Sequence, residues 1–124
     1  MKVCYFGIYD PEYSRNKILI TGLKQNELQA FACISKEKAL YKSFDFLNKN
    51  LKVKNDYDVM IVGYPGFQSV ILARFLTSKP IVFDAFLSMY DSIVLDRAQI
   101  KPNSIKALYF WCLDKISMTL PEVV

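Results

Sequence analysis

Residues 2–9, Lys-Val-Cys-Tyr-Phe-Gly-Ile-Tyr, are apolar or aromatic at nearly every position. A strand of that kind cannot leave one face to water. It belongs in a sheet covered on both sides, and sheets of that kind are parallel. Parallel neighbours need long crossover connections, which are usually helical. The remainder of the chain supplies them, because strand-like and helix-like stretches alternate throughout.

Asp10-Pro11-Glu12-Tyr13 breaks the first strand, and Ser14 is placed to cap a helix running to about Gln25. Its inward stripe is expected on Arg15, Leu19 and Leu23, widened by Ile18 and Ile20, with Asn26 as a left-handed terminator. A second strand covers 27–35. A second helix follows, with its stripe on Leu40, Phe44, Leu47 and Leu51. Residues 57–63 form the third strand, Tyr64-Pro65-Gly66 a breaker, 68–77 a buried helix and 81–84 the fourth strand. Residues 85–101 are irregular. Pro102 suits the first position of a last helix, whose stripe is Ile105, Leu108, Tyr109, Cys112, Leu113 and Ile116. Pro121 ends it, and Glu122-Val123-Val124 reads as a fifth strand cut short. The expected fold is α/β: a three-layer, Rossmann-like parallel sheet in the order 3-2-1-4-5.

The chain has 124 residues, 52% of them apolar, which fits one domain with its own core. It contains no histidine, which excludes a Ser-His-Asp triad and imidazole metal sites. Cys4, Cys33 and Cys112 lack any Cys-x-x-Cys spacing, so buried reduced thiols are expected rather than disulfides. No cofactor and no metal are expected, and no run is long enough to span a membrane. The net charge is +4. Lysines 36, 38, 42 and 49 cluster in the second helix, together with Lys52 and Lys54 just beyond. Lys36, Lys38, Lys42 and Lys49 present either a solvated helix face or a basic patch for anionic lipid headgroups. Nucleic acid is not an expected partner, because the nearby aromatics follow core spacing and arginines are few.

In an open parallel sheet, ligands bind at the carboxyl ends of the strands where strand order reverses. The order 3-2-1-4-5 puts that crevice between the first and fourth strands. The loop after the first strand offers Gly7, Tyr9, Asp10, Arg15 and Asn16. It carries one glycine and no dinucleotide fingerprint. It is either a turn with a helix cap, or an anion site at the helix start reinforced by Arg15. The fourth strand ends at Asp84, followed by Asp91 and Arg97. Asp84 is either a general base or hydroxyl-binding group, or else a cap or a partner in an ion pair with Arg97. Tyr64 opens on the same edge, one strand further out.

Four segments taken in order point to a family: Met1-Lys-Val-Cys-Tyr-Phe-Gly-Ile-Tyr, Tyr13-Ser-Arg-Asn-Lys-Ile-Leu-Ile-Thr-Gly-Leu-Lys-Gln-Asn, Tyr57-Asp-Val-Met-Ile-Val-Gly-Tyr-Pro-Gly, and Pro80-Ile-Val-Phe-Asp-Ala-Phe-Leu-Ser-Met-Tyr-Asp-Ser-Ile-Val-Leu-Asp-Arg. Together they resemble the N-terminal domain of GT-B glycosyltransferases of the family 4 type, over essentially the whole chain. The resemblance implies two Rossmann-like domains facing a cleft. The N-terminal one binds the acceptor; the C-terminal one binds the nucleotide-sugar donor and carries a Glu-x7-Glu motif. It also implies that the loop from Gly7 to Arg15 approaches the sugar and diphosphate, and that Asp84 or a neighbour lies near the reacting centre. Many members place a histidine near the end of the fourth strand, and this chain has none.

On that resemblance, residues 1–124 form the acceptor-side half of a two-domain enzyme without its donor domain, inactive by itself. The function implied is sugar transfer from a nucleotide-sugar to a glycan or lipid-linked acceptor. Nucleotide-sugar and acceptor would be reached through a C-terminal domain or a partner chain. The expected setting is cytoplasmic, peripheral to the inner face of the membrane. The alternative is a non-catalytic α/β interaction module acting as a homodimer, since an open sheet edge invites pairing. A receiver-like domain lacks its acidic cluster, for which only Asp10 and Glu12 are available.

Overall fold

The structure, a computed structural model, describes residues 1–7, 12–34 and 56–124. The expectations for Tyr9, Asp10, the second helix and Lys36, Lys38, Lys42 and Lys49 fall outside the described residues. Strands β1 (Lys2–Gly7), β2 (Gln29–Ile34), β3 (Val59–Val62) and β4 (Ile81–Phe83) form a four-stranded sheet, and every pairing is parallel. Helices are α1 (Ser14–Gln25), α2 (Phe67–Leu76) and α3 (Ile105–Thr119), with a π-helical segment at Asp91–Asp96.

The α/β class and the parallel sheet stand, but the strand order is β2-β1-β3-β4, not 3-2-1-4-5. The third strand of the chain lies against the first, with Val3 opposite Val59 and Phe6 opposite Val62. Crossovers between parallel strands are right-handed. The step from β1 to β2 runs one way along the sheet and the step from β3 to β4 the other, so α1 and α2 fall on opposite faces. The side chains alternate accordingly. Tyr5 bonds to Asn16 of α1, while its neighbours Cys4 and Phe6 join Val70 and Ala73 of α2 in the main core. The reversal of strand order therefore lies between β1 and β3.

The sheet has four strands rather than the expected five, and the segment after Pro121 adds only an isolated bridge at its edge. Val123 forms a parallel bridge with Val82, and the Phe83 N–H donates to the Val123 carbonyl at 2.8 Å. Glu122 clamps this segment: its carboxylate accepts from the Ile81 N–H at 2.6 Å and from Arg74 at 2.7 and 2.8 Å.

Two helices sit differently from their apolar periodicity. In α1, Asn16 is buried and Ile18 is 70% exposed, so the inward face is not the expected one. In α3, the stripe members Ile105, Leu108, Tyr109 and Ile116 point outward; Leu113 alone of the stripe is buried, together with Ala107 and Ser117. Ser104, rather than Pro102, marks the start of α3, and its hydroxyl accepts from the Ala107 N–H at 3.2 Å. The left-handed residue after α1 is Glu27 (φ 58°), not Asn26. The Glu27 N–H donates to Lys24 O and the Leu28 N–H to Leu23 O, each at 3.1 Å, which is a Schellman closure.

Glutamate in that conformation is strained by its Cβ, so Glu27→Gly is expected to stabilise the fold by about 1 kcal/mol in urea unfolding. The clamp at Glu122 gives a pH prediction. Hydrogen bonding from the Ile81 N–H, then the Arg74 charge, holds the Glu122 carboxyl below its ordinary range. A lowered value in the folded state means that the clamp contributes above the ordinary pKa of about 4.3 and is lost as pH falls through the folded value. The Phe83 amide should exchange faster as pH falls through that window, after correction for intrinsic rates, and Glu122→Gln should abolish the dependence.

Candidate functional site

The carboxyl edge of the sheet gathers the ends of β1, β3 and β4. β1 closes at Gly7, whose φ of 142° is one that residues with a Cβ rarely adopt. The loop from β3 to α2 turns tightly at Tyr64-Pro65-Gly66, with a cis Tyr64–Pro65 peptide. A Cβ on Gly66 would lie 2.5 Å from Val62 Cγ1 and 2.6 Å from the Gly63 carbonyl, so only glycine lets the loop pass this close to β3.

Asn16, in the first turn of α1, ties these parts together. It is 1% exposed and accepts the Tyr5 hydroxyl at 3.1 Å, and its amide donates to the Tyr64 carbonyl at 3.3 Å. β1, α1 and the β3–α2 loop are thereby fixed to one another. Burial first, and then the Asp84 charge, push the Tyr5 hydroxyl up to about 12, with Arg15 opposing. Tyr5 is therefore a neutral donor.

Arg15, the preceding residue, reaches over to β4. Its Nε lies 3.1 and 3.0 Å from the two Asp84 carboxylate oxygens, and a terminal guanidinium nitrogen lies 2.5 Å from Oδ1. Hydrogen bonding to Asp84 raises the pKa of Arg15 above its ordinary value. Asp84 thus pairs with Arg15 rather than Arg97, and its side chain is only 11% exposed. A carboxylate held by a fork in this way is well placed to orient the guanidinium.

Three aromatic rings complete the cluster. The Arg15 guanidinium lies over the Phe86 ring at 4.9 Å from its centroid. Tyr64 stands between Tyr13, at 6.1 Å, and Phe86, at 5.8 Å. Tyr13 and Phe86 are exposed. Beside the loop, a cavity of about 280 Å³ is lined by Pro65, Phe67, Gln68, Met89, Phe110 and Leu113.

Of the sequence candidates, Gly7, Arg15, Asn16, Tyr64 and Asp84 converge on this edge. The new strand order brings Tyr64 into the crevice itself and moves Asp84 one strand out. Asp91 and Arg97 take no part in the cluster. They bracket the π-helical segment, and the Asp91 N–H donates to Ser88 Oγ at 3.0 Å. Tyr5, Tyr13 and Phe86 were not singled out by sequence reasoning. A tyrosine inside an otherwise apolar strand, two residues before its glycine, was the available signal for Tyr5. Asp114 was also missed. It accepts from Ser88 Oγ at 2.6 Å, the Tyr90 N–H at 2.8 Å and the Met89 N–H at 3.1 Å. Among the described residues, no group of three or more His, Cys, Asp or Glu side chains could hold a metal ion.

No family model matches the chain, and neither a curated protein nor a solved structure matches it.

Asn16→Ala leaves the buried Tyr5 hydroxyl without this acceptor and frees the β3–α2 loop. It should cost about 1–3 kcal/mol in chemical unfolding and broaden the amide signals of Tyr64 and Gly66.

Proposed function

We propose that the chain is the acceptor-side module of a sugar transferase. On this reading it holds a glycan or lipid-linked acceptor, while a second domain or a partner chain binds the nucleotide-sugar donor. The observation that carries the reading is the carboxyl-edge cluster, where a guanidinium–carboxylate fork lies among the rings of Tyr13, Tyr64 and Phe86.

A pyranose presents apolar C–H faces and a rim of hydroxyls. Exposed aromatic rings suit the faces. Fixed polar groups suit the rim, because a hydroxyl both donates and accepts. Asp84 can accept, Arg15 can donate, and neither must reorganise, since each already holds the other in place. The cluster also lies beside the point where strand order reverses, where open α/β sheets bind ligands. Asp84 serves here as an orienting group rather than as the general base.

Amide shifts of the isotope-labelled chain, titrated with simple hexosides and with a uridine diphosphate sugar, test the reading. Hexosides should move the signals of Arg15, Asn16, Tyr64 and Phe86. Arg15→Ala and Phe86→Ala should each weaken binding by roughly tenfold while leaving the fold intact. If the hexosides leave these signals in place, or if both variants bind as well as the parent, the assignment fails.

A further inference from the structure

Helix α3 is apolar on two sides. Its inner side is spent on the core, through Ala107, Phe110, Leu113 and Met118. Its outer side carries Ile105 at 88% exposure, with Leu108, Tyr109 and Ile116 about half exposed. These positions follow helical spacing and form one continuous stripe. Each of these aliphatic side chains forgoes the gain of burial, and a contiguous exposed apolar patch of this kind marks a contact surface.

The charges around it decide which contact. Lys101, Lys106 and Lys115 are exposed. Asp114 is the one acidic residue between Lys101 and Thr119, and its carboxylate is engaged by Ser88 and by the N–H groups of Met89 and Tyr90. The outward surface of this stretch is therefore apolar and positively charged. Trp111 borders the stripe on one side, with Lys115 5.7 Å over its ring, and Tyr109 borders it on the other, beside Lys106. Aromatic borders with flanking lysines are the chemistry of the bilayer interface. Contacts between protein chains are instead depleted in lysine.

We propose that α3 lies flat in the headgroup layer of an anionic bilayer, with Ile105, Leu108 and Ile116 in the acyl boundary and Lys106 and Lys115 on the phosphates. No helix of the described residues is long and apolar enough to cross a membrane, so α3 docks and does not span. A groove of about 350 Å³ between Tyr90 and the first turns of α3, lined also by Pro102, Leu108 and Trp111, extends the apolar surface and can take an acyl chain. This assignment uses different residues from the sugar-binding reading and does not depend on it.

The chain has one tryptophan, and it sits in the proposed contact, so its emission reports docking directly. The full chain is mixed with vesicles of phosphatidylcholine alone, or with roughly a third phosphatidylglycerol. With the anionic vesicles, emission should shift to the blue and be quenched by brominated acyl chains. Ile105→Glu and Leu108→Glu change exposed side chains, so folding can be verified by circular dichroism. Each should lower partitioning by about tenfold. Lys115→Glu should weaken binding to anionic vesicles by roughly fivefold or more. Ile18→Glu, on the opposite face of the sheet, should change nothing. Equal binding to neutral and anionic vesicles overturns the proposal, as does the absence of any spectral shift at low salt. Light scattering that shows a dimer dissolved by Leu108→Glu also overturns it, by giving the stripe to a second copy.

Discussion

The buried Asn16 side chain sets the geometry on which the carboxyl edge depends. Tyr5 sits within a strand covered on both faces, and it bonds through its hydroxyl to Asn16. A buried polar group without a partner costs a substantial part of a small domain's stability. Satisfying it fixes how α1 is rotated about its own axis. That rotation explains why Ile18 is left in water although the apolar spacing favours turning it inward. It also explains why Arg15, one position earlier, projects toward Asp84. One amide thus decides both an apolar exposure and the orientation of the guanidinium.

Where the elements lie along the chain was largely legible. The first helix ends at Gln25 as predicted, but Ser14 is its first residue rather than its cap, since Tyr13 holds the N-cap position without a side-chain bond; Phe67–Leu76 lies within one residue of its predicted bounds. Such boundaries are written in local chemistry: a proline, a glycine, or a change from one periodicity to another. The order of the strands was not legible. Each is a short, nearly continuous apolar run that could pair with any other, because a strand buried on both faces carries no alternation to mark its neighbour. The correction from 3-2-1-4-5 to β2-β1-β3-β4 matters to the site, since it moves the reversal point beneath Tyr64. Gly7, Arg15, Asn16, Tyr64 and Asp84 share one edge, which needs only parallel strands and not their order, whereas Asp91 and Arg97, expected on the same edge, lie apart from the cluster at the π-helical segment. The partner of Asp84 was illegible for the same reason. Arg97 is near in sequence, whereas Arg15 is near only once β1, β3 and β4 lie side by side.

Helix α3 shows where periodicity misleads. Most of its apolar stripe, Ile105, Leu108, Tyr109 and Ile116, faces outward, and the face turned inward carries Asp114 and Ser117 beside Leu113 and Ala107. Spacing counts apolar side chains and ignores what a polar one can satisfy. Asp114 accepts three hydrogen bonds from Ser88, Met89 and Tyr90, at the point where the chain enters its π-helical stretch. Turning the helix to bury Ile105, Leu108 and Tyr109 as well would leave those donors unpaired and draw Leu113 out of the main core.

The same carboxylate relates the two proposed surfaces. Phe86, which stacks with Arg15 and Tyr64, lies two residues before Ser88, and Asp114 holds Ser88 against α3. The aromatic cradle and the outward stripe are therefore joined through one part-buried set of hydrogen bonds. An acceptor anchored in lipid has its reactive hydroxyl close to the headgroup plane. A helix resting in that plane, linked rigidly to a cradle suited to sugar rings, would replace a search in solution by a search along the surface. On the two proposals together, that restriction would add to binding without any additional contact to the sugar, in the way that tethering raises effective concentration.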